Sequence, residues 1–582
     1  MGPFGESVRY HEVPIDRHGV FRNRDPPRGV WQIRRVGPHD MMLRFEGLVW
    51  KGDPEMCSDR FTTRKETLAE TTGGLPAMTE SLCPVCLRVI EAELGERQNQ
   101  VFMSKVCDEH GACDELISSD AEFFKNMRRR HFEAPRKIEN PQCLNTAGCP
   151  NACGVCDQHL STPVMMNIDL TNRCNLNCPV CFASSNATGR VYEISLEQLD
   201  RILDDTMAIR PSPPWCIQLV GGEPTVHGDF IEAIRHVKAR GVQQIQVASN
   251  GLKFAQNLEF TQAASDAGLD VVYLQFDGLS DEIYEKIRGR PLLDVKLKAI
   301  ENIKKANMGV VLVPTLVKGL NDDQVGDITR FAISHNDAIS AISWQPVAIT
   351  GRIDEAKRRE MRYTTADLAR DLQEQCGFID RYRDWYPFSI VEPFLRLMEV
   401  TTRQPQMHCS AHPHCGCATY LVVDRQKNTA TPLPALIEIE PAMETLSKMA
   451  TRIEKHSWAK NLSMLQAMSH LKRHFHAARA PTGWGFEEFL EFIRSFVEPS
   501  QESSHDKAAH RERLRSQRFG MLFMAAMHFQ DSYNYELDRS RHCVIFYAAP
   551  NGRFYPFCTW NSGPCHRYRI EDDFSQPLAN EA

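Results

Sequence analysis

The stretch Asn167-Ile-Asp-Leu-Thr-Asn-Arg-Cys174-Asn-Leu-Asn-Cys178-Pro-Val-Cys181-Phe182 decides how this chain is read. An apolar, β-prone run from Val164 to Leu170 stops at a polar turn, which delivers three thiols in C-x3-C-x2-C spacing. Three thiolates on so short a loop need a shared centre. Soft sulfur ligands select zinc or iron–sulfur clusters, and a [4Fe–4S] cube normally takes four thiolates, so three on one loop leave an iron open to another ligand. A structural zinc loop is the competing reading. It normally wants C-x2-C pairs with a second pair elsewhere.

The chain around this loop has 582 residues, more than one core organises, so roughly two to four domains are expected. Its composition, 42% hydrophobic and 25% charged, is that of an ordinary globular protein, and a net charge of −7 without a long basic run offers no field for nucleic acid. No apolar stretch is long enough to span a bilayer and the N-terminus shows no signal-peptide core, so a cytoplasmic protein is expected, at most peripheral to the inner face of a membrane. Twenty cysteines in such a chain argue for metal centres over disulfides. They cluster, with only Cys216 and Cys376 standing apart as small buried hydrophobes.

Four segments are expected: an extension over 1–78, a Cys-rich module over 79–160, a βα-repeating domain over 161–350 and a C-terminal domain over 351–582. The extension is rich in Arg, Pro and Gly, with short pieces at Gly29–Ile33 and Met41–Trp50 that read as strands, and with Cys57 as an inert thiol. In the second segment, Cys83-Pro-Val-Cys86 is a knuckle whose turn preorganises two thiolates, and Cys107-Asp-Glu-His110-Gly-Ala-Cys113 supplies the other half-site of one mononuclear centre. The fourth ligand is His110 or Cys113. All-sulfur ligation suits a rubredoxin-like iron, three sulfurs and an imidazole suit zinc. Downstream, Cys149-Pro-Asn-Ala-Cys153-Gly-Val-Cys156 repeats the C-x3-C-x2-C spacing without a preceding strand, and reads as an auxiliary iron–sulfur site completed by Cys143 or by the C-terminal half.

From Val164 to Gln345 short β-rich runs alternate with helical periods, the pattern of a parallel sheet. Strands are predicted at 164–170, 216–220, 244–248, 270–275, 309–315 and 339–345. Ligands of such α/β sheets gather at the strands' C-terminal ends. Those ends carry Gly221-Gly222-Glu223-Pro224, Ser249-Asn250, Gln275 with Asp277, Thr315, and Gln345-Pro346.

In this order behind the cysteine loop, these motifs resemble the radical S-adenosylmethionine (SAM) superfamily, with Phe182 as the aromatic after the third cysteine. The resemblance implies an α/β fold: a partial (β/α)6 barrel with an N-terminal Cys-rich metal module and a C-terminal iron–sulfur-binding extension. It implies that Cys174, Cys178 and Cys181 are catalytic cluster ligands and that SAM binds the open iron. Gly221, Gly222, Glu223 and Pro224 would hold its ammonium, Ser249 and Asn250 its carboxylate or ribose, and Gln275 and Asp277 its ribose hydroxyls. Thr315 would sit at its adenine. Reductive cleavage of SAM by an electron from an external donor of ferredoxin or flavodoxin type would give a 5′-deoxyadenosyl radical able to abstract hydrogen from an unactivated carbon.

More narrowly, Tyr273-Leu-Gln-Phe-Asp-Gly, Val313-Pro-Thr-Leu-Val, Trp344-Gln-Pro-Val, His414-Cys415-Gly, Met527-His-Phe and Pro556-Phe-Cys558-Thr resemble the tetraether lipid synthase family. This implies two auxiliary [4Fe–4S] clusters, one mononuclear iron or zinc, and coupling of lipid chain ends as the leading function. Methylation of a pterin or other small heterocycle is the alternative, and a non-catalytic electron carrier the reading from another class. Cys415, Cys543 and Cys558 are the thiols expected at the second auxiliary cluster. Arg541 to Cys558 is expected to hold two strands joined at Ala549-Pro-Asn-Gly552, and the Met-rich run Phe519–Phe529 is expected to be a helix.

Overall fold

The structure, a computed structural model, describes residues 31–35, 41–45, 48–52 and 74–577 apart from 135, 144–147, 354, 404–405, 457–459 and 498–503. Cys57 and Asp25–Gly29 lie outside the described residues. Met1–Thr72 and Gly73–Ala582 are separate compact units. The first contains an antiparallel sheet of β1 (Trp31–Arg35), β2 (Met41–Phe45) and β3 (Leu48–Gly52), close to the two apolar pieces read from sequence.

The second unit begins with a four-stranded antiparallel meander, β4 (Ala77–Leu82), β5 (Val89–Arg97), β6 (Gln100–Cys107) and β7 (Gly111–Ser118). Its own small core includes Leu94, Val101 and Met103. Helix α1 (Ala121–Arg129), capped by the Asp120 carboxylate accepting from the Glu122 and Phe123 amides, leads out of it.

The six predicted barrel strands all form. They are β8 (Met165–Thr171), then, past the two-residue β9 (Arg190–Val191), β10 (Cys216–Gly221), β11 (Gln244–Ser249), β12 (Val271–Gln275), β13 (Gly309–Val313) and, past β14 (Thr315–Leu316), β15 (Ile339–Pro346). Each pairs in parallel with its neighbour, and the intervening crossovers include α2 (Leu196–Met207), α3 (Phe230–Ala239), α4 (Asp281–Arg288) and α5 (Leu293–Lys305). Alternate residues such as Met166, Ile168, Ile217, Leu219, Val272 and Leu312 join the helices in one large core, the two-sided burial typical of parallel sheets.

The boundary expected near residue 350 does not divide this sheet. Past the paired strands β16 (Tyr386–Pro387), β17 (Gly416–Asp424) and β18 (Thr429–Pro432), the Met-rich run is not a helix: β19 (Phe519–Met527) pairs in parallel with β15. A short apolar run reads equally as a buried strand or a buried helix, and its alternating exposure shows the two-residue period. At the other edge, β20 (Ile545–Ala548) adds in parallel to β8, and β21 (Phe554–Pro556) returns antiparallel through the expected turn. The parallel run is therefore eight strands, closed at both ends by C-terminal segments. Residues 439–516 are largely helical and pack on a second core holding Leu436, Phe486, Phe489 and Phe492. Among the described residues, no helix is long and apolar enough to cross a membrane.

Candidate active site and metal centres

Strand β8 ends at Thr171, whose hydroxyl accepts from the Arg173 amide and turns the chain into the cysteine loop. The loop is held from outside itself. Asn186, in the left-handed region at φ 63°, accepts from the Cys174 amide and donates to its carbonyl, both at 3.0 Å. The Arg352 amide donates to the Cys181 carbonyl at 3.0 Å and its guanidinium to Asn177 at 2.6 Å. All three thiols are free. Burial pushes Cys174 up to about 12, with Glu223, Cys178 and Cys181 beside it, and also raises Cys178. Burial opposes ionisation of Cys181 too, but the Ser185 amide and the Arg352 guanidinium outweigh it and its pKa falls. Three converging thiols that a dry site keeps largely protonated become thiolates when a cation compensates them, so the donor set fits an iron–sulfur cluster.

Gly221 and Gly222 serve this loop. A Cβ on Gly221 would collide with the Thr171 carbonyl, and one on Gly222 with the Arg173 carbonyl. The Gly222 and Glu223 amides donate to those same two carbonyls at 2.7 and 2.9 Å. The close approach that glycine permits here is thus to the cluster loop's backbone rather than to a ligand. Glu223, 1% exposed, accepts from Thr225 and Ser249 hydroxyls through one oxygen and from the Asn250 amide at 2.7 Å through the other. Burial raises its pKa. Asn250 in turn donates to Asn175 in the loop. Ser249, Asn250 and Glu223 therefore form one lock joining the ends of β10 and β11 to the cysteines.

At the next strand end Asp277 is fully buried and chelated by Arg288, with Nε–Oδ2 2.7 Å and Nη2–Oδ1 2.8 Å. It also accepts from Gln275 and from the Thr315 amide. This corrects the expectation that Asp277 offers a free acceptor to a ribose: its work is to aim Arg288. Arg288 also donates to the Val180 carbonyl and the Thr315 hydroxyl and lines a cleft of about 110 Å³ beside the loop. Gln345 and three aromatics complete much of its wall. Phe529 stacks on Phe557 with centroids 4.0 Å apart, and Phe557 on Phe182 at 5.5 Å. Arg288, Arg352 and the buried Lys296, which donates to the Asn250 carbonyl and to Gln275, escaped the sequence reading because each reaches the site from a distant segment, and Asn186, five residues after Cys181, because a lone asparagine carries no motif.

In the meander, Cys83, Cys86, Cys107 and His110 place their ligand atoms within 4.8 Å of one another. His110 Nδ1 lies 3.5 Å from Cys107 Sγ and 3.7 Å from Cys83 Sγ. Cys113 is not in the group but sits on β7 opposite Lys105, so the four donor atoms brought together include His110 and not Cys113. Three sulfurs and one imidazole at this spacing suit zinc.

Cys149, Cys153 and Cys156 line a small pocket together with Arg541 and Thr559. Burial pushes Cys153 to about 12 and Cys149 to about 11. Cys143 is adjacent, bridged to Cys156 through the backbone, but its thiol donates to the Gly154 carbonyl at 2.8 Å. Cys415, Cys543 and Cys558 form another buried trio: burial raises all three thiols, and Cys543 also feels Cys558 and Cys415. Cys543 and Cys558 lie just outside the hairpin strands expected to carry them. Both trios fit auxiliary clusters by the same reasoning as the first. Cys417 packs into the core of the sheet, and Cys376, half-buried at the end of the helix Thr365–Cys376, packs against that core.

Comparison with known proteins agrees with this geometry. The family model "Radical SAM superfamily" matches residues 168–332, and the "HMPTM N-terminal zinc ribbon domain" matches 75–119. The chain is 37% identical over 501 residues to 7,8-dihydro-6-hydroxymethylpterin dimethyltransferase of Methanocaldococcus jannaschii, covering 86% of this chain and 96% of that one. It is 28% identical over 245 residues to a probable GTP 3′,8-cyclase of Thermococcus kodakarensis, covering 42% and 69%. Streptococcus suis SuiB is a partial structural match at TM-score 0.31 and 17% identity, over 43% of this chain and 49% of that one. The relative matched over nearly its whole length is named for pterin methylation and not for lipid coupling, so the narrower resemblance read from sequence is unsupported by it.

Proposed function

Since the chain belongs to the radical SAM superfamily, we propose that it is a radical SAM methyltransferase acting on a dihydropterin-like heterocycle. The observation that carries this reading is the 37% identity to a hydroxymethylpterin dimethyltransferase along 96% of its length. Cys174, Cys178 and Cys181 would hold the cluster. Phe182, Glu223, Asn250, Gln275 and Thr315 would contact SAM, with Gly221 and Gly222 supporting the loop behind it. The cluster and SAM together supply, when bound, a carbon-centred radical from an electron of low potential. The protein's part is orientation and exclusion of water. The Phe182–Phe529–Phe557 stack keeps the cleft dry, and Arg288, fixed by Asp277, gives it one directed cationic donor.

The inward face of the barrel supports a substrate with hydrogen-bonding edges. Asn167 and Asp169 alternate with core residues on β8, Gln218 donates to Gln246 at 3.0 Å, and the Asp169 Oδ1 atom is buried without a hydrogen-bond partner. A buried acceptor left open is costly unless a ligand completes it. A second reading, coupling of alkyl chain ends, draws on the apolar remainder of that face, where Val271, Val311, Val313 and Ala341 form a strip with Phe523.

The two are separated by incubating the anaerobically reconstituted, reduced enzyme with methyl-labelled SAM and, in parallel, with 6-hydroxymethyl-7,8-dihydropterin or an alkyl glycerolipid. Label appearing in the pterin is the expected result. Lipid products of doubled mass that carry no label, with the pterin unchanged, would overturn it in favour of coupling.

A further inference from the structure

Past the end of β15, Gly351-Arg352 lies across the cysteine loop and is fixed from both directions. Just upstream, the Ile349 amide donates to the Asp531 carboxylate at 2.9 Å and the Thr350 hydroxyl to the Asn561 carbonyl at 2.8 Å. Gly351, at φ 67°, comes so close to the loop that a Cβ there would collide with the Cys181 and Phe182 carbonyls. The Arg352 amide then donates to the Cys181 carbonyl at 3.0 Å, and Nη1 of its guanidinium donates to Asn177 Oδ1 at 2.6 Å. Backbone and side chain of one residue thus grip the loop on either side of Cys178.

The other two nitrogens of that guanidinium, Nε and Nη2, are buried and have no hydrogen-bond partner. Buried donors left open are costly, and more so on a charged group. Arg288, the other arginine beside the loop, is occupied differently, since its Nε and Nη2 chelate Asp277. Burial raises Cys174 and Cys178 and opposes ionisation of Cys181 too, but at Cys181 the Ser185 amide and the Arg352 guanidinium prevail. The open donors therefore stand on the Cys181 side of the loop, where the sulfurs of a bound cluster are the acceptors within reach.

We propose that Arg352 sets the reduction potential of the loop's iron–sulfur cluster: its Nε and Nη2 donate to sulfur on the Cys181 side and hold the negative charge that reduction adds. The proposal rests on reading the loop as a cluster site. One electron leaves an external donor of the flavodoxin or ferredoxin class and enters the cluster. The donor is oxidised and the cluster reduced, with no bond made or broken. Donors fixed in advance through Gly351 and Asn177 need no rearrangement when that charge arrives, so they favour the reduced state and raise the potential.

The test uses the full-length, anaerobically reconstituted protein, with iron content and a redox titration followed by low-temperature electron paramagnetic resonance as readouts. The loop's signal is the one absent from the Cys174→Ala, Cys178→Ala and Cys181→Ala triple variant. In Arg352→Met its midpoint is expected to fall, by about 59 mV for a tenfold weaker hold on the electron. Arg352→Lys, which keeps the charge, is expected to recover part of that shift. Full iron in Arg352→Met with the wild-type midpoint would overturn the role of Arg352 alone. Equal iron in the wild type and the triple variant would overturn the reading of the loop instead. Should Arg352→Met lose the iron, protein grown with nitrogen-15-labelled arginine decides. A nitrogen-15 hyperfine coupling on the loop's signal in the labelled wild type is then expected. No such coupling, or one that persists in labelled Arg352→Lys, would overturn the proposal.

Discussion

Gly222 has no room for a methyl group, and what it would strike is the Arg173 carbonyl, immediately before Cys174. Gly222→Ala is therefore expected to push the cysteine loop off β10 and to cost the protein about four irons per chain, measured by iron assay after reconstitution. Arg288 and Asp277 are buried as a two-point pair, so Arg288→Met strands a carboxylate. A loss of about 3–5 kcal/mol is expected, read as a lower denaturation midpoint, with Asp277→Asn in the same background recovering part of it. The cysteines and the Gly-Gly-Glu-Pro run were legible in sequence because their meaning lies in local spacing. Asp277 was visible but misassigned, since nothing near it in sequence announces that Arg288 occupies both its oxygens.

At the scale of elements, the metal-binding meander is tied to the C-terminal half. Lys105, buried and lowered to about 8 by that burial, donates to Ser81 and to the Tyr533 carbonyl, and the Ser81 hydroxyl donates to the Tyr535 carbonyl. Glu115 on β7 shares the buried Arg362 with Asp531, whose carboxylate also accepts from the Ile349 amide beyond β15. Asp531→Asn is expected to cost about 3–5 kcal/mol by leaving Arg362 half-compensated, measured against wild type by denaturant titration. Stripping the meander's metal with a chelator, or making His110→Ala, is expected to open Cys83–Cys86 and expose the Tyr533–Glu536 contact. Protease cleavage there should rise while the iron of the Cys174 loop stays bound. The helix expected over Phe519–Phe529 failed for a physical reason. A uniformly apolar run carries no period, and its neighbours on the two sides, β15 some 180 residues earlier and the antiparallel β17, make it a strand.

Over the whole molecule, the six central βα units follow from periodicity alone, whereas the two strands that close the run, β19 and β20, come from a half of the chain that sequence reading treated as a separate domain. Long-range parallel pairing leaves no local signature, so this part of the architecture was not legible. The closure has a functional consequence. It carries Phe529 and Phe557 into the cleft beside Phe182 and brings Cys415, Cys543 and Cys558 together, so cleft and auxiliary sites are built by the same returning segments. The most direct test of the central claim is the yield of 5′-deoxyadenosine and methionine when the reconstituted protein is reduced anaerobically with SAM. Stoichiometric release by the wild type, abolished in the Cys174→Ala, Cys178→Ala and Cys181→Ala triple variant, is predicted. Equal yields from the two proteins, or none from fully iron-loaded wild type, would contradict it.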